Sequence, residues 1–414
     1  MVNKSAYSDL ELMQARIRMI PGGWSFSYVG KVFAIKNNLR KPISEEVRAK
    51  NVGKYPYYGP TKIQGYIDTY EQDGSYALIG EDGDHFLKYE NQSMTQLIDG
   101  KCTVNNHAHI IEGTAKAIRE WFYYYFMHRD IFSFLSRQGA GRYKLNKASL
   151  EKIPLIIPSL GEQKKIAQIL STWDKAIATT EQLLANSQQQ KKALMQQLFT
   201  GKKRFPGFSG KWRKYNLGEL GDTYTGLSGK SKNDFGSGKT YIPYINIFKN
   251  SCIDIHSFEL VAIQDGERQS KAKYGDIFFT TSSETSEEVG MSSVLLEHVE
   301  ELYLNSFCFG YRLNSFDILR PEYARYYFRS ELIRKEISVL GQGATRYNLS
   351  KKQLMKLTLK LPGVEEQIKI ASVLSIADQE IETLKQKLNH LKQEKKALMQ
   401  QLLTGKRRVK TEAA

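Results

Sequence analysis

The sequence is poor in the features that would give it chemistry of its own. It has three cysteines, Cys102, Cys252 and Cys308, and no CxxC pair; this argues against a disulfide framework and a zinc ribbon and makes a reducing cytoplasm the expected location. No run of 18 or more apolar residues occurs, so no segment is expected to span a bilayer. The opening MVNKSAYSDLELMQ holds no continuous apolar stretch, and no secretory leader is expected there. Two GK[ST] tripeptides, Gly229-Lys230-Ser231 and Gly238-Lys239-Thr240, fail as phosphate loops. A Walker loop needs a glycine five residues before its GK glycine, where Tyr224 and Asn233 stand. The N-P-P-[FY] and D-P-P-Y tetrapeptides of amino-methyltransferases are missing too. His107-Ala108-His109 places two imidazoles on one strand face, but no carboxylate or thiolate completes a metal triad, and hydrogen bonding or packing is the expected role. With no nucleophile signature either, the chain is expected not to be an enzyme by itself and to bind no metal or cofactor.

What is present points toward polyanions. Lys and Arg number 60 against 44 Asp and Glu, a formal charge of +16 on 414 residues. Such an excess favours nucleic acid through attraction to phosphates and release of their counterions. Solvated lysines or an acidic partner are the bland alternatives. The length allows two domains with a core each, and the hydrophobic fraction of 41% is that of a globular chain.

The chain also repeats itself. KKALMQQLFTGKKRF (Lys191–Phe205) returns as KKALMQQLLTGKRRV (Lys395–Val409), and QGAGRYKLN (Gln138–Asn146) returns as QGATRYNLS (Gln342–Ser350), both 204 residues later. Pro158 and Pro362, Glu162-Gln163 and Glu366-Gln367, and Lys165-Ile166-Ala167 and Lys369-Ile370-Ala371 keep that spacing without a gap. A period of half the chain means a duplicated domain pair and not a solenoid. Each copy ends in a predicted long helix. In the second, Ile370, Val373, Ala377, Ile381, Leu384, Leu388, Leu391, Leu398 and Leu402 recur at helical steps. In the first, Ile166, Ile169, Trp173, Ile177, Leu184, Leu194 and Leu198 follow. The spacing predicts one apolar stripe per helix, interrupted at Lys191 and Lys395, with Gly201 and Gly405 as C-terminal caps. About forty residues at ~1.5 Å each make a rod of ~60 Å. The economical partner for so long a stripe is the other copy, in an antiparallel coiled coil about a pseudo-twofold axis. Two unrelated helices, each on its own domain, are the alternative.

Between the helices the halves share entry signals, Trp24 six residues before Gly30 and Trp212 six before Gly218, but little else. Short β-type runs at Tyr76–Gly80, Ala108–Gly113, Tyr241–Phe248 and Asp276–Thr281 precede predicted aromatic helices at Ala117–Leu135 and Pro321–Ile337. Strands followed by a helix, without regular βαβ alternation, predict α+β heads of mixed α/β structure. The expected organisation is a first head at 1–160, a long helix at 161–200, a linker at 201–211, a second head at 212–364, a second long helix at 365–405 and a basic tail at 406–414. Uniform helices with divergent heads suit a scaffold holding two readers of different targets. The competing reading is a coiled-coil scaffold bridging two protein-binding heads, without DNA specificity.

QGATRYNLSKKQLMKLTLKLPGVEEQIKIASVL and its first-half counterpart ending PLIIPSLGEQKKIAQIL closely resemble the specificity (S) subunits of Type I restriction–modification enzymes. So do YPYYGPTKIQGYID (Tyr55–Asp68) and FFTTSSETSEEVGMSSVLL (Phe278–Leu296). The resemblance covers nearly the whole chain in order. It implies two target-recognition domains, each followed by a helix, the helices pairing antiparallel. Each domain then reads half of a bipartite site on double-stranded DNA across an unread spacer. It also implies two modification (M) subunits, which carry S-adenosylmethionine and methylate adenine N6, and restriction (R) subunits that use ATP and Mg2+ to translocate and cleave. One departure is the N-terminus, where the RFPGFSGKW-type lead-in of the second domain has no counterpart before the first.

Base reading needs forked donors and acceptors, while phosphate contacts need Lys, Arg, hydroxyls and backbone amides and fix register only. The glycine-bearing loops ahead of each rod offer Gln138, Arg142, Tyr143 and Lys144, and Gln342, Arg346, Tyr347 and Asn348. Because both copies keep this loop while the heads diverge, bracing or phosphate contact is expected there. Readout is assigned to residues unique to each head. In the first these are Thr61, Lys62, Gln64, Asn105, Asn106 and His107; in the second, Lys230, Lys232, Arg268, Ser282, Ser283, Glu284 and Thr285.

Overall fold

A computed structural model of the chain describes residues 7–138, 142–343 and 346–410. The chain divides into two compact units, Met1–Thr180 with Lys387–Ala414 and Glu181–Gln386. The long helices, Leu160–Phe199 and Val364–Leu402, explain why the first unit is assembled from two separate stretches of chain. Each gives its first half to the unit it leaves and its second half to the other. Each helix is stopped by a left-handed glycine, Gly201 at φ 69° and Gly405 at φ 68°. There the amides of Lys203 and Arg407 reach back to the carbonyls of Gln197 and Gln401 at 3.2 and 3.1 Å, a cap that a residue with a Cβ would strain. Among the described residues, no helix is long and apolar enough to cross a membrane.

Unit 1 contains β1 (Ser25–Tyr28), β2 (Ala34–Ile35), β3 (Val52–Tyr58), β4 (Ile63–Ile67), β5 (Gln72–Gly80), β6 (Thr95–Val104), β7 (Ala108–Glu112), β8 (Ser136–Gln138), β9 (Arg142–Lys144) and β10 (Pro154–Ile157). Six of them form one sheet in the order β2-β7-β5-β6-β3-β4, in which only β3 and β6 run parallel. The helix Arg119–Met127 buries Trp121, Phe122, Tyr124, Tyr125, Phe126 and Met127. These side chains form one core with Ala77, Ile79 and Ile111 from the sheet and Ile166, Leu170, Met399 and Leu402 from the two long helices. β1 pairs with β10 and so joins the start of the head to the residues just before its helix.

Unit 2 contains β11 (Arg213–Asn216), β12 (Gly221–Thr225), β13 (Phe235–Ile242), β14 (Glu259–Val261), β15 (Ile277–Thr280), β16 (Ser282–Ser283), β17 (Ser292–Val294), β18 (Tyr303–Leu304), β19 (Cys308–Leu313), β20 (Gly341–Gln342), β21 (Tyr347–Leu349) and β22 (Thr358–Leu361). The heads share far more than their entry signals. Ala77↔Ile111 and Leu78↔Ile110 between β5 and β7 recur as Ile277↔Tyr311 and Phe278↔Gly310 between β15 and β19. The parallel pair β3–β6 recurs as β13–β18, and the clasp β1–β10 as β11–β22. The main difference is that the long β6 of unit 1 corresponds in unit 2 to two short strands, β17 and β18, with residues 295–302 between them. Divergent sequences reach one fold because the buried positions ask only for apolar volume in the right alternation.

Three predicted elements differ. Tyr241–Phe248 is not one strand: Pro243 has no N–H for a ladder, and at φ −72° it opens the helix Tyr244–Lys249. The helix expected over Ala117–Leu135 spans Arg119–Met127 alone, because Arg129 turns to bond the Ala15 carbonyl and Asp130 pairs with Arg16. Pro321–Ile337 is two helices, Pro321–Tyr327 and Glu331–Leu340, broken where Ser330 caps the second.

The apolar stripes serve two purposes within each unit. Ile166, Leu198, Ile370 and Leu402 are fully buried in the head cores, a destination that the coiled-coil expectation did not include. Ile169, Trp173, Ile177, Leu388, Leu391 and Leu398 in unit 1 are half-buried, as are Val373, Leu184, Leu194 and Leu384 beside the buried Ile381 in unit 2.

Candidate nucleic-acid interface

The repeated segment holds each unit's two helix halves side by side and antiparallel. In unit 2 the Arg204 guanidinium grips the buried Glu366 carboxylate through Nε at 2.9 Å and Nη2 at 2.6 Å. In unit 1 Arg408 grips Glu162 at 2.6 and 2.8 Å. The same arginines donate to the carbonyls of Gly210 and Gly22, two residues before Trp212 and Trp24. The first head is therefore anchored like the second despite its missing lead-in. The lysines that interrupt the stripes are paired ions. Lys191 bonds Asp378, which also accepts from the Tyr326 hydroxyl at 2.8 Å; Lys395 bonds Asp174, which accepts from Tyr124 at 2.7 Å. Burial first, then the neighbouring carboxylate, raises both tyrosine pKa values well above the usual range. A single polar pair in an apolar seam specifies register, because any slip strands a charge. Gln163 and Gln367 complete the frame by bonding the backbone ahead of the aromatic helices, at Ile118 and Arg320, each at 3.0 Å.

On that frame each unit carries one turn tied by four equivalent hydrogen bonds. In unit 1 the Asn105 amide bonds Tyr58 O at 3.0 Å, the His107 amide bonds Asn105 Oδ1 at 2.8 Å, the Glu81 amide bonds His107 O at 2.8 Å, and the Leu145 amide bonds Glu81 O at 2.7 Å. In unit 2 Asn305 bonds Ile242 at 3.1 Å, Phe307 bonds Asn305 Oδ1 at 2.8 Å, Thr281 bonds Phe307 at 3.0 Å and Leu349 bonds Thr281 at 2.8 Å. These bonds gather the ends of several strands and the loop ahead of the long helix onto one face.

In unit 1 several of the residues singled out from the sequence lie at or near this turn. Gln64 accepts from Asn105 Nδ2 at 2.9 Å, Thr61 and Lys62 lie in the turn closed by Gly59 N and Lys62 O at 2.9 Å, and His107 Nδ1 bonds Asp82 at 2.8 Å. The Asn106 carbonyl accepts from Arg40, and Lys144 Nζ stands 3.4 Å from Glu81. Arg142 is exposed, and Tyr143 packs against Phe132. Asn105 is a correction: at 4% exposure, with its side chain spent inside the turn, it braces the face and cannot reach a base. The Gln138 side chain lies outside the described residues. His109 also stays inward, with Nδ1 on Asn37 and Nε2 on the Leu145 carbonyl.

In unit 2, Ser282 and Ser283 pair with Asn348 and Tyr347, and Gln342 pairs with Asn348 from the other side. Thr285 bonds Glu288 at 3.0 Å, and Glu284 and Arg346 are exposed. Ser283 is buried, which removes it from direct reading. Lys230 is a second correction. Its ammonium is buried against the Ala262 carbonyl at 2.6 Å and Glu267 at 2.5 Å, so it fastens two loops together. Lys232 and Arg268 lie on those loops and are exposed. Sequence reading missed Asn305 to Phe307, the counterpart of Asn105 to His107. The available signal was an asparagine following a strand and preceding another, in VNNHA and LNSFC.

His85 packs beneath the unit 1 face, so close to Gly80 and Gly83 that a Cβ at either would strike its ring. Burial lowers its pKa to about 4, against the opposing pull of Asp82 and Asp84. The unfolded chain, at the ordinary 6.5, therefore takes up this proton first. The stability of unit 1 is expected to hold above pH ~6.5 and to fall as pH drops toward 4. A His85 resonance that titrates at its ordinary value would contradict this.

Comparison with known proteins adds the family. The model of the type I restriction modification DNA specificity domain matches twice, at residues 21–186 and 209–393. A putative type I restriction enzyme specificity subunit of Haemophilus influenzae is 39% identical over 140 residues, 34% of each chain. The match therefore spans about a third of that relative's length. A putative specificity subunit of Methanocaldococcus jannaschii is 24% identical over 98% of both chains. The fold is similar to a crystal structure of a type I restriction-modification S subunit from M. genitalium, with TM-score 0.61 at 16% identity over 93% of this chain and 97% of that one.

Proposed function

We start from the fact that this chain belongs to the family of type I restriction-modification DNA specificity subunits, and we propose that each of its units reads one half of a split DNA target. The observation that carries the proposal is the duplicated turn, one platform with His107 bonded to Asp82 in unit 1 and Phe307 at the equivalent place in unit 2. Two copies of one platform with different side chains suit two different words. Long helices that each contribute to both units suit a fixed gap between those words. The net charge of +16 supplies attraction to phosphates. Arg142 and Arg346, exposed at matched positions, are assigned to the backbone. Thr61, Lys62, Gln64, Asn106 and His107, and Lys232, Arg268, Ser282, Glu284 and Thr285, are assigned to the bases, with Asn105, Lys230 and Ser283 as braces. Methyl transfer from S-adenosylmethionine to adenine N6 then falls to modification subunits, and ATP- and Mg2+-dependent cleavage to restriction subunits, both docked on this chain in the cytoplasm.

Arg346→Ala tests the assignment. It is expected to weaken duplex binding about equally on all sequences and to lower the slope of log affinity against log salt by about one. A loss confined to one base pair would move Arg346 to the bases, and a wild-type affinity without salt dependence would remove DNA from the account.

A further inference from the structure

The geometry points to the residue two places after the turn asparagine, His107 in unit 1 and Phe307 in unit 2, as the position that sets one base preference in each half-target. The inference rests on the units being DNA readers, as proposed above, and goes on to name where the two readings differ.

Phe307 is a bulky apolar side chain with 66% of its surface exposed. A lone exposed phenylalanine is ordinary on a protein surface. This one is held on both sides, its amide on Asn305 Oδ1 at 2.8 Å and its carbonyl on the Thr281 amide at 3.0 Å. The backbone is thus fixed before any ligand arrives, and ordering it on binding costs little. The same two bonds, both at 2.8 Å, hold His107, whose side chain is 47% exposed. Structure is therefore kept at this position while chemistry changes. The chain next to it changes too: Asp82, which bonds the His107 ring, follows Glu81, whereas Ser282 follows the equivalent Thr281. Through Glu81 in one unit and Thr281 in the other, the two turns are tied to Leu145 and Leu349, each three residues after the exposed Arg142 or Arg346.

The two side chains ask for different bases. A phenylalanine offers no hydrogen bond and suits the 5-methyl group of thymine. The Asp82 carboxylate only accepts, so Nδ1 of His107 is the atom that donates to it, and a ring carrying that one proton offers Nε2 as an acceptor. That acceptor suits the exocyclic amine of adenine or cytosine.

The test selects randomised duplex DNA on the purified full-length chain. With Phe307→Ala, discrimination at one position of one half-target is expected to fall about tenfold, other positions staying as they were. His107→Ala is expected to do the same in the other half, and Phe307→His to change the preferred base at the affected position. The melting temperature of each variant is expected to match wild type, because neither side chain fills a core. If wild type selects a split site and Phe307→Ala leaves every position unchanged, or weakens both halves alike, the inference is overturned and the functional reading stands. A wild-type chain that selects no split site overturns both.

Discussion

Arg204→Ala is expected to lower the stability of unit 2 by ~3 kcal/mol, the typical cost of stripping one partner from a buried ion pair. Glu366 is 2% exposed, and both of its oxygens are occupied by the Arg204 guanidinium. Removing the guanidinium leaves a carboxylate that neither water nor protein solvates. The equivalent Arg408→Ala in unit 1 is expected to cost less, for a reason visible in the tryptophans. Trp24 Nε1 donates to Glu162 at 3.1 Å and remains after the substitution, whereas Trp212 Nε1 is buried with no hydrogen-bond partner among the described residues. Arg408 is also more exposed, at 45% against 24%. Denaturant unfolding of the two variants measures the difference, and equal losses would contradict it. Adding Glu366→Ala to Arg204→Ala is expected to recover part of the loss, since the stranded charge goes with it.

The second large effect concerns spacing. Four residues inserted into each long helix, between Thr180 and Glu181 and between Gln386 and Lys387, add ~6 Å at ~1.5 Å per residue. At ~3.4 Å per base pair the unread gap is expected to lengthen by about one or two base pairs, while both half-targets keep their sequence. The insertions fall where each helix passes from one unit to the other. They leave the Lys191–Asp378 and Lys395–Asp174 pairs untouched, since each pair lies within one unit. A footprint with an unchanged gap would separate the helices from spacer control.

The parts of this architecture most legible in the sequence depend on local rules. Gly201 and Gly405 announce helix ends because few other residues take a left-handed φ cheaply. The stripes announce long helices because burial imposes a period. The meaning of Lys191 and Lys395 was hidden, because their carboxylate partners lie 187 and 221 residues away in the chain. The likeness of the two heads was hidden for a related reason. A backbone bond such as Glu81 N to His107 O, or Thr281 N to Phe307 O, leaves no trace in residue identity. Lys230 misled because a basic loop residue reads the same whether it faces solvent or a buried Glu267. Phe307 escaped notice because sequence does not tell an exposed ring from a core one.

One measurement bears on the central claim more directly than any variant: mapping N6-methyladenine in DNA from cells that carry this chain and its modification subunit. The account predicts methylated adenines within two short words separated by a gap of constant length and free sequence, each word assignable to one unit by exchanging heads. Methylation confined to a single uninterrupted word would contradict it.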